Sequence, residues 1–585
     1  MGSCQCSPEA PGDFNANPAK VHSMFFPMYV VKVSDFLEMD GPLKAHDELQ
    51  QEGLLHEWHP GMFVIFVSHQ WLGFNHPDPQ GDQAMCLRQF FNNIITGKRE
   101  VESDIVTDNP NEGPFNCGGP AMLRDGYIFL DWFAIPQLTA RASGVNEDAV
   151  KSDAAAAVQS IPAYVEVANL FVALVPSLFH NETKAFCNYA SWLLRGWCRA
   201  ELWCHVLSNK PDTRVILVYT STEAEFMFPL NWQHNRITDG QFTVEQDREV
   251  VVQLGRLALQ CKIQQLSTCG PLTSFRFYTA TMPRLFDQVR PAWTPESFIR
   301  EFRFPNFTAA VDDLSSMNGV LCAVFSGDGA MIRCLATARA DVNSRLHGLG
   351  PLGYFDTQTP LMAALKSQQA GDVVLALLEM RADTEIQSRT WIKCTYLVRS
   401  PVHVQLLLDF RADFRYGGPG KISALAGAAA WASPETVKAI LDAKYDPNNT
   451  NVQDAGTCLG HTPLHNLAIH SRDNPEVIAS AKLLLEYRAN VNQQARPSGL
   501  AKWGAAGVQV LQKFVKSRRM EHFAALPGLT PLGVVAWSGR QELAELLLEH
   551  HADLTVANDA GHCPEELARQ MGQHHLLPLF ATFHV

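Results

Sequence analysis

A doubly wound parallel α/β sheet followed by an all-α repeat solenoid is the fold this sequence predicts. Three observations predict it. Short apolar runs alternate with helix-length segments between residues 61 and 262. From about Ser315 the pattern changes to repeated amphipathic segments, each closed by a triplet such as Arg381-Ala382-Asp383. The chain has 585 residues, enough for two or more domains with cores of their own.

The elements follow in order. Residues 1–22 carry no periodic pattern and are expected to be flexible. Residues 23–60 read as a helical lead-in, with apolar positions at helical spacing over Leu43–Leu55. Met62–Val67 is a continuous apolar run, as a strand covered on both faces requires. Gln83–Thr96 reads as a helix, Tyr127–Trp132 as a second strand, Ala154–Ala168 as a helix and Leu170–Val175 as a third strand. Tyr189–Leu207 is an aromatic-rich helix and Arg214–Tyr219 a fourth strand. Strands separated by helices imply a parallel sheet with helices on both faces. Asp108–Pro120, rich in Asn, Gly and Pro, is a loop. A helix over Asp247–Gln260 closes the domain at 262, and 263–314 is a linker with a short helix near Pro295–Phe302.

Composition excludes several classes. The net charge of −13 gives no bulk attraction to nucleic acid, so no nucleic-acid partner is expected. The 14 cysteines are scattered without Cys-x-x-Cys pairs and read as reduced thiols of a cytoplasmic protein. No apolar run reaches the ~18 residues of a membrane-spanning helix. His76 and Asp78, in a proline-bounded loop, lack further ligands at metal spacing, so no metal is expected.

The chain starts Met-Gly-Ser-Cys-Gln-Cys-Ser. Gly2 fits N-myristoylation, with Cys6 where serine or threonine is usual, and Cys4 and Cys6 are candidates for palmitate. Two acyl chains are what stable anchoring needs, so peripheral membrane attachment is one expectation and a plain flexible tail the other.

Thr359-Pro360-Leu361, Thr462-Pro463-Leu464-His465 and Thr530-Pro531-Leu532 open repeats. Arg339-Ala340-Asp341, Arg381-Ala382-Asp383, Arg411-Ala412-Asp413, Arg488-Ala489-Asn490 and His551-Ala552-Asp553 close them. Thr caps the first helix, Pro fits its first turn, and leucine pairs face the next repeat. Asp383 to Asp413 is 30 residues and Asp413 to Asp446 is 33. The pattern resembles the ankyrin repeat, whose period is ~33 residues. Residues 315–580 read as about six repeats and a degenerate cap, with insertions, the largest at 494–526. Within that insertion Lys513, Lys516, Arg518 and Arg519 lie among Leu511, Phe514 and Val515, a basic amphipathic stretch that is a candidate calmodulin-type target or membrane-surface element and reads first as a solvated helix packing on the array. An ankyrin array implies protein partners.

Three motifs mark the first domain. The first strand ends in Ser68-His69-Gln70-Trp71-Leu72-Gly73, and the second in Asp131-Trp132 with Gln137 downstream. A helix then carries Arg195-Gly196-Trp197-Cys198-Arg199-Ala200-Glu201. Over roughly 62–220 this resembles the TIR-like superfamily, in its HET-like branch. An Arg-Asp-x-x-Pro-Gly loop found in many TIR domains is absent, and the first two motifs are widely spaced. The resemblance implies a flavodoxin-like sheet and puts Glu201 in the role of the glutamate that supports cleavage of the nicotinamide–ribose bond of NAD. NAD would be a substrate, with no tightly bound cofactor. Ser68, His69 and Asp131 would face the crevice at the carboxyl ends of the strands. Trp71 or Trp132 would stack on a ring. Arg195 or Arg199 would meet the pyrophosphate, and Trp197 would complete the site. The plainer reading is that Trp192, Trp197 and Trp203 are core, Glu201 pairs with Arg195 or His205, and Asp131 caps a helix.

Three functions therefore stand. One is an NAD-cleaving signalling effector recruited by its array and able to self-associate through the TIR-like domain. The second is a non-catalytic scaffold, and the third a nucleotide-binding switch.

Overall fold

A computed structural model of the chain describes residues 24–102, 119–137, 147–288, 292–389, 392–414, 423–445, 460–497 and 525–583. Gly2, Cys4, Cys6 and the basic stretch at 511–519 lie outside them.

Among the described residues the first domain has nine strands: β1 (Tyr29–Lys32), β2 (Leu55–Glu57), β3 (Val64–His69), β4 (Tyr127–Phe129), β5 (Leu170–Leu174), β6 (Leu178–Phe179), β7 (Phe186–Cys187), β8 (Val215–Thr220) and β9 (Glu223–Phe226). Seven form one sheet in the order β2-β1-β4-β3-β5-β8-β9, and β6 and β7 form a separate hairpin. The four central strands are parallel, with Phe66 paired to Phe129 on one side and Phe171 on the other. The edges are antiparallel. The sheet is therefore mixed, not purely parallel. Its parallel strands stand in the order second, first, third, fourth of their appearance in the chain, and the order reverses between β3 and β5. Every residue of β3 and β5 is buried, as their unbroken apolar runs require.

The helices of this half are α1 (Val33–Glu38), α2 (His46–Gln51), α3 (Asp82–Ile95), α4 (Gly119–Arg124), α5 (Asp131–Ala134), α6 (Glu147–Val167), α7 (Tyr189–Leu194), α8 (Gly196–Val206), α9 (Asn231–His234), α10 (Asp247–Cys269), α11 (Leu272–Leu285), α12 (Pro295–Glu301) and α13 (Phe307–Val311). The crossovers β3→β4 and β4→β5 step in opposite directions, so right-handed connections put α3 and α6 on opposite faces.

Several expectations are corrected. Residues 23–60 are no mere helical lead-in, because β1 and β2 extend the sheet beside β4. Both are too short to show alternation in sequence. Tyr189–Leu207 is two helices, broken at an extended Arg195. The break admits the chain at Gly240–Phe242. Gly196 donates its N–H to Gln241 O at 2.8 Å, and a Cβ on Gly196 would lie 2.1 Å from the Phe242 ring. The 263–314 segment is no loose linker. Its α11, α12 and α13 bury Phe275, Phe277, Tyr278 and Phe298 against the start of the array.

The array consists of stacked pairs. Among the described residues these are Gly319–Phe325 with Gly329–Thr337, Pro360–Lys366 with Gly371–Glu379, a 3-10 turn Cys394–Leu397 with Pro401–Asp409, Ala424–Trp431 with Pro434–Asp442, Pro463–His470 with Val477–Glu486, and Pro531–Ser538 with Gln541–Glu549. Pro564–Gln570 and Leu577–Phe583 follow. Thr359, Thr462 and Thr530 each accept the N–H three residues on, and proline occupies the first turn in each case.

The array folds back onto the α/β domain. Gln233 Nε2 of α9 donates to Leu352 O at 2.9 Å and His234 Nε2 to Lys366 O at 3.1 Å. Farther along, Arg472 pairs with Glu223 of β9 at 2.8 Å, both largely buried. No helix of the described residues is long and apolar enough to cross a membrane.

Candidate functional site

An open parallel sheet binds ligands beyond the carboxyl ends of its strands, where the strand order reverses. Here that point lies at the ends of β3 and β5, and Ser68 and His69 are the last two residues of β3. The β3 backbone points successive side chains to opposite faces, so these two diverge.

Ser68 turns toward α8. Its hydroxyl donates to Glu201 Oε2 at 2.5 Å and accepts from Trp192 Nε1 at 3.0 Å. Among the described residues, no arginine or lysine pairs with Glu201. Protein atoms crowd its carboxyl, and that desolvation pushes its pKa up to about 8. Glu201 is therefore mainly a neutral acid at pH 7.

His69 turns toward α3 and α5. Its Nδ1 lies 2.8 Å from Gln83 Oε1, and its Nε2 lies 2.9 Å from Asp131 Oδ1. Gln83 Nε2 donates to Gln70 O at 2.8 Å, which fixes the amide with its oxygen toward His69. Both imidazole nitrogens thus face acceptors, which only the doubly protonated ring satisfies. Burial opposes the charge, but Asp131 outweighs it, and the His69 pKa is raised. Asp131 is held low in turn, burial again being overcome by His69. Its second oxygen accepts from Trp71 Nε1 at 3.0 Å. One third of the Asp131 side chain stays exposed, so the pair reaches the surface at its Asp131 end.

The site thus joins Ser68, His69, Trp71, Asp131 and Glu201. Trp132 is buried behind Trp71, edge to face at 5.6 Å, and its indole donates to Leu43 O. The remaining sequence candidates face elsewhere. Arg195 donates to Thr243 Oγ1 at 2.8 Å. Trp197 donates to Asp247 of α10 at 2.9 Å. Buried Arg199 binds the carbonyls of Leu193 and Arg236, and its pKa is pushed down to about 10 by desolvation. These three hold α8 to the segment 235–247.

Two residues escaped the sequence reading. Gln83 orients His69, and its signal was available: it is a polar residue on the buried stripe Gln83, Leu87, Phe90, Phe91, Ile94 of α3. Trp192 reads as core and is core, but its indole also holds Ser68. Among the described residues, no group of three or more His, Cys, Asp or Glu side chains is set to hold a metal ion.

A cleft of 640 Å³ lies beside this site, between the domains. Tyr189 and Ser191 of α7, Tyr219 at the end of β8, and Arg472, Arg540 and Gln573 of the array line it. Ser191 also donates to Gln70 Oε1 at 2.7 Å, so α7 is the wall between cleft and site.

Comparison with known proteins bears on the array. Residues 425–558 match the family model for ankyrin repeats, in three copies. The C-terminal region carries ankyrin repeats, and such arrays bind proteins. Among solved structures the chain is similar to the human ASB11 ankyrin repeat domain, at 20% identity and a TM-score of 0.30, over 42% of this chain and 89% of that one. A likeness that loose adds nothing to the fold described above. No curated protein matches the chain.

Proposed function

We propose that the ankyrin array binds protein partners and that the TIR-like α/β domain is its effector, cleaving the nicotinamide–ribose bond of NAD. The observation that carries the reading is Glu201: a desolvated carboxyl, joined to Ser68 and not to an arginine, at the sheet's switch point. Breaking the C1′–N bond releases neutral nicotinamide and leaves a ribosyl oxocarbenium. Water adds to C1′ and a proton is lost, giving ADP-ribose. Glu201 serves this chemistry as a carboxylate beside the developing cation. The pyridinium of the bound substrate is itself the cation that favours Glu201 ionisation. The exposed edge of Asp131 suits a ribose hydroxyl, and Trp71, partly exposed, suits the nicotinamide ring. Acyl chains on Gly2, Cys4 and Cys6 would hold the effector at a membrane surface.

The test is NAD consumption by the full chain at high concentration, beside Glu201→Gln. Loss of about 10²–10³ in kcat is expected, the scale of removing one electrostatic stabiliser. The second reading, a scaffold whose α/β domain only assembles or holds a nucleotide, is favoured by one observation. The donors of Ser68, His69, Trp71 and Trp192 already have partners inside the site. Absence of NAD consumption in the concentrated wild-type chain selects that reading.

A further inference from the structure

The ion pair between Glu223 and Arg472 sits at one end of an unbroken line of contacts that ends on Glu201. The Arg472 guanidinium lies 4.2 Å from the centre of the Tyr219 ring. Tyr219 stands edge to face with Tyr189 at 6.0 Å, its hydroxyl donating to Glu225 at 2.9 Å. Tyr189 opens α7 and stacks on Trp192 of the same helix, at 6.1 Å and 24°. Trp192 donates to Ser68, and Ser68 donates to Glu201.

A second grip on Tyr189 comes from the other docking point. Asn231 Nδ2 donates to the Tyr189 hydroxyl at 2.8 Å. Asn231 belongs to α9, whose Gln233 and His234 hold Leu352 O and Lys366 O of the array. Tyr189 is thus clamped between two elements that the array itself fixes. Tyr189, Trp192 and Tyr219 are all buried.

We infer that the array completes the site: Arg472 is a positioning residue that, through Tyr219, Tyr189 and Trp192, sets the Ser68 hydroxyl against Glu201. A chain of contacts does not by itself establish coupling. Two features add physical force. Interiors are close-packed, so a displaced ring displaces its neighbour instead of leaving a void. And α7 is a six-residue helix with a cleft on one side, so it has room to move when its clamp is released. A protein partner that draws the array away from the α/β domain would thereby reset Glu201. As regulation of the Glu201 site, this rests on the function proposed above, but the positional claim can be tested without it.

The full chain is labelled with 5-fluorotryptophan, and Trp192→Phe assigns the Trp192 resonance. Arg472→Met removes the guanidinium and keeps the stem. Arg472→Met with Glu223→Gln also neutralises the buried carboxylate that loses its ion pair, as a second variant should the first fail to fold. Arg496→Met, which breaks an exposed pair with Asp559 within the array, is the control. The expected result is a Trp192 shift larger than its linewidth in the folded Arg472 variants and none in the control, with NAD turnover lowered at least tenfold in kcat. A Trp192 resonance that stays in place in the folded double variant, or moves equally in the control, overturns the inference. A wild-type chain that consumes no NAD overturns the function instead, and the resonance still decides the positioning.

Discussion

His69 has two ring nitrogens and two acceptors, and that count fixes its charge. Its folded pKa is raised, so its stabilisation is full below the ordinary imidazole value and is lost as pH rises through the raised one. Asp131 is depressed, so its share is full above the ordinary carboxylate value and is lost as pH falls through the depressed one. The pair therefore stabilises most between those limits. Asp131→Asn removes the carboxylate that keeps buried His69 protonated, leaves the ring only neutral amide partners, and should cost about 3–5 kcal/mol at neutral pH, read by urea unfolding. Glu201 works the other way. A carboxyl raised to about 8 makes the fold less stable as pH climbs from the ordinary carboxyl value through 8. Glu201→Gln should remove that decline, so its melting temperature gains on wild type between pH 5 and 9. At about 1.4 kcal/mol per pKa unit the effect is a few kcal/mol. In activity the sign reverses: kcat/KM for NAD should rise with pH through about 8, as free Glu201 ionises. Much of this was legible in the sequence, because Ser68, His69, Asp131 and Glu201 sit at strand ends and on the helix whose pattern is plain. What Arg195 and Arg199 bind was not legible. Except for Leu193 O, their partners (Thr243 Oγ1 and Arg236 O) lie tens of residues away, in a segment without periodicity.

Each repeat ends its second helix with a left-handed residue, and none of these is glycine. Arg339, Arg381, Arg411, Lys444, Arg488 and His551 have φ between 61° and 77°. An L-residue there costs roughly 1–2 kcal/mol, and glycine restores less than that in chain entropy. Arg381→Gly and Arg411→Gly should each stabilise the array by about 0.5–1 kcal/mol, seen as a higher urea midpoint. Thr530→Ala should do the reverse. It frees the Gly533 N–H from its 3.1 Å bond and should cost about 1 kcal/mol. The helix pairs were legible because their caps, prolines and leucine stripes repeat. The strands β1, β2 and β9 were not. β9 reads Glu-Ala-Glu-Phe, two carboxylates in four residues, and becomes a strand only because β8 offers it an edge. The break at Arg195 was equally hidden, since Gly196 yields to a Phe242 that lies 46 positions later.

The two halves were legible as domains but not as one body. Beyond the aromatic packing of α11–α13, their contacts come from single polar residues (Glu223, Gln233, His234, Arg472) scattered between positions 223 and 472. Because docking is buried, the halves should unfold together. Glu223→Ala, which removes the ion-pair partner of Arg472, should split one thermal transition into two when tryptophan fluorescence is compared with far-UV circular dichroism.

A row of stacked helix pairs touches only its neighbours, so by itself it bends like a spring. Here the α/β domain grips that row at Leu352–Lys366 and again at Arg472, as a string holds a bow at two points. The chord sets the arc. The curve that a partner meets is fixed before the partner arrives, and the bending entropy is already spent. Pulled from its ends, this bow should give first at the string, before any repeat unwinds.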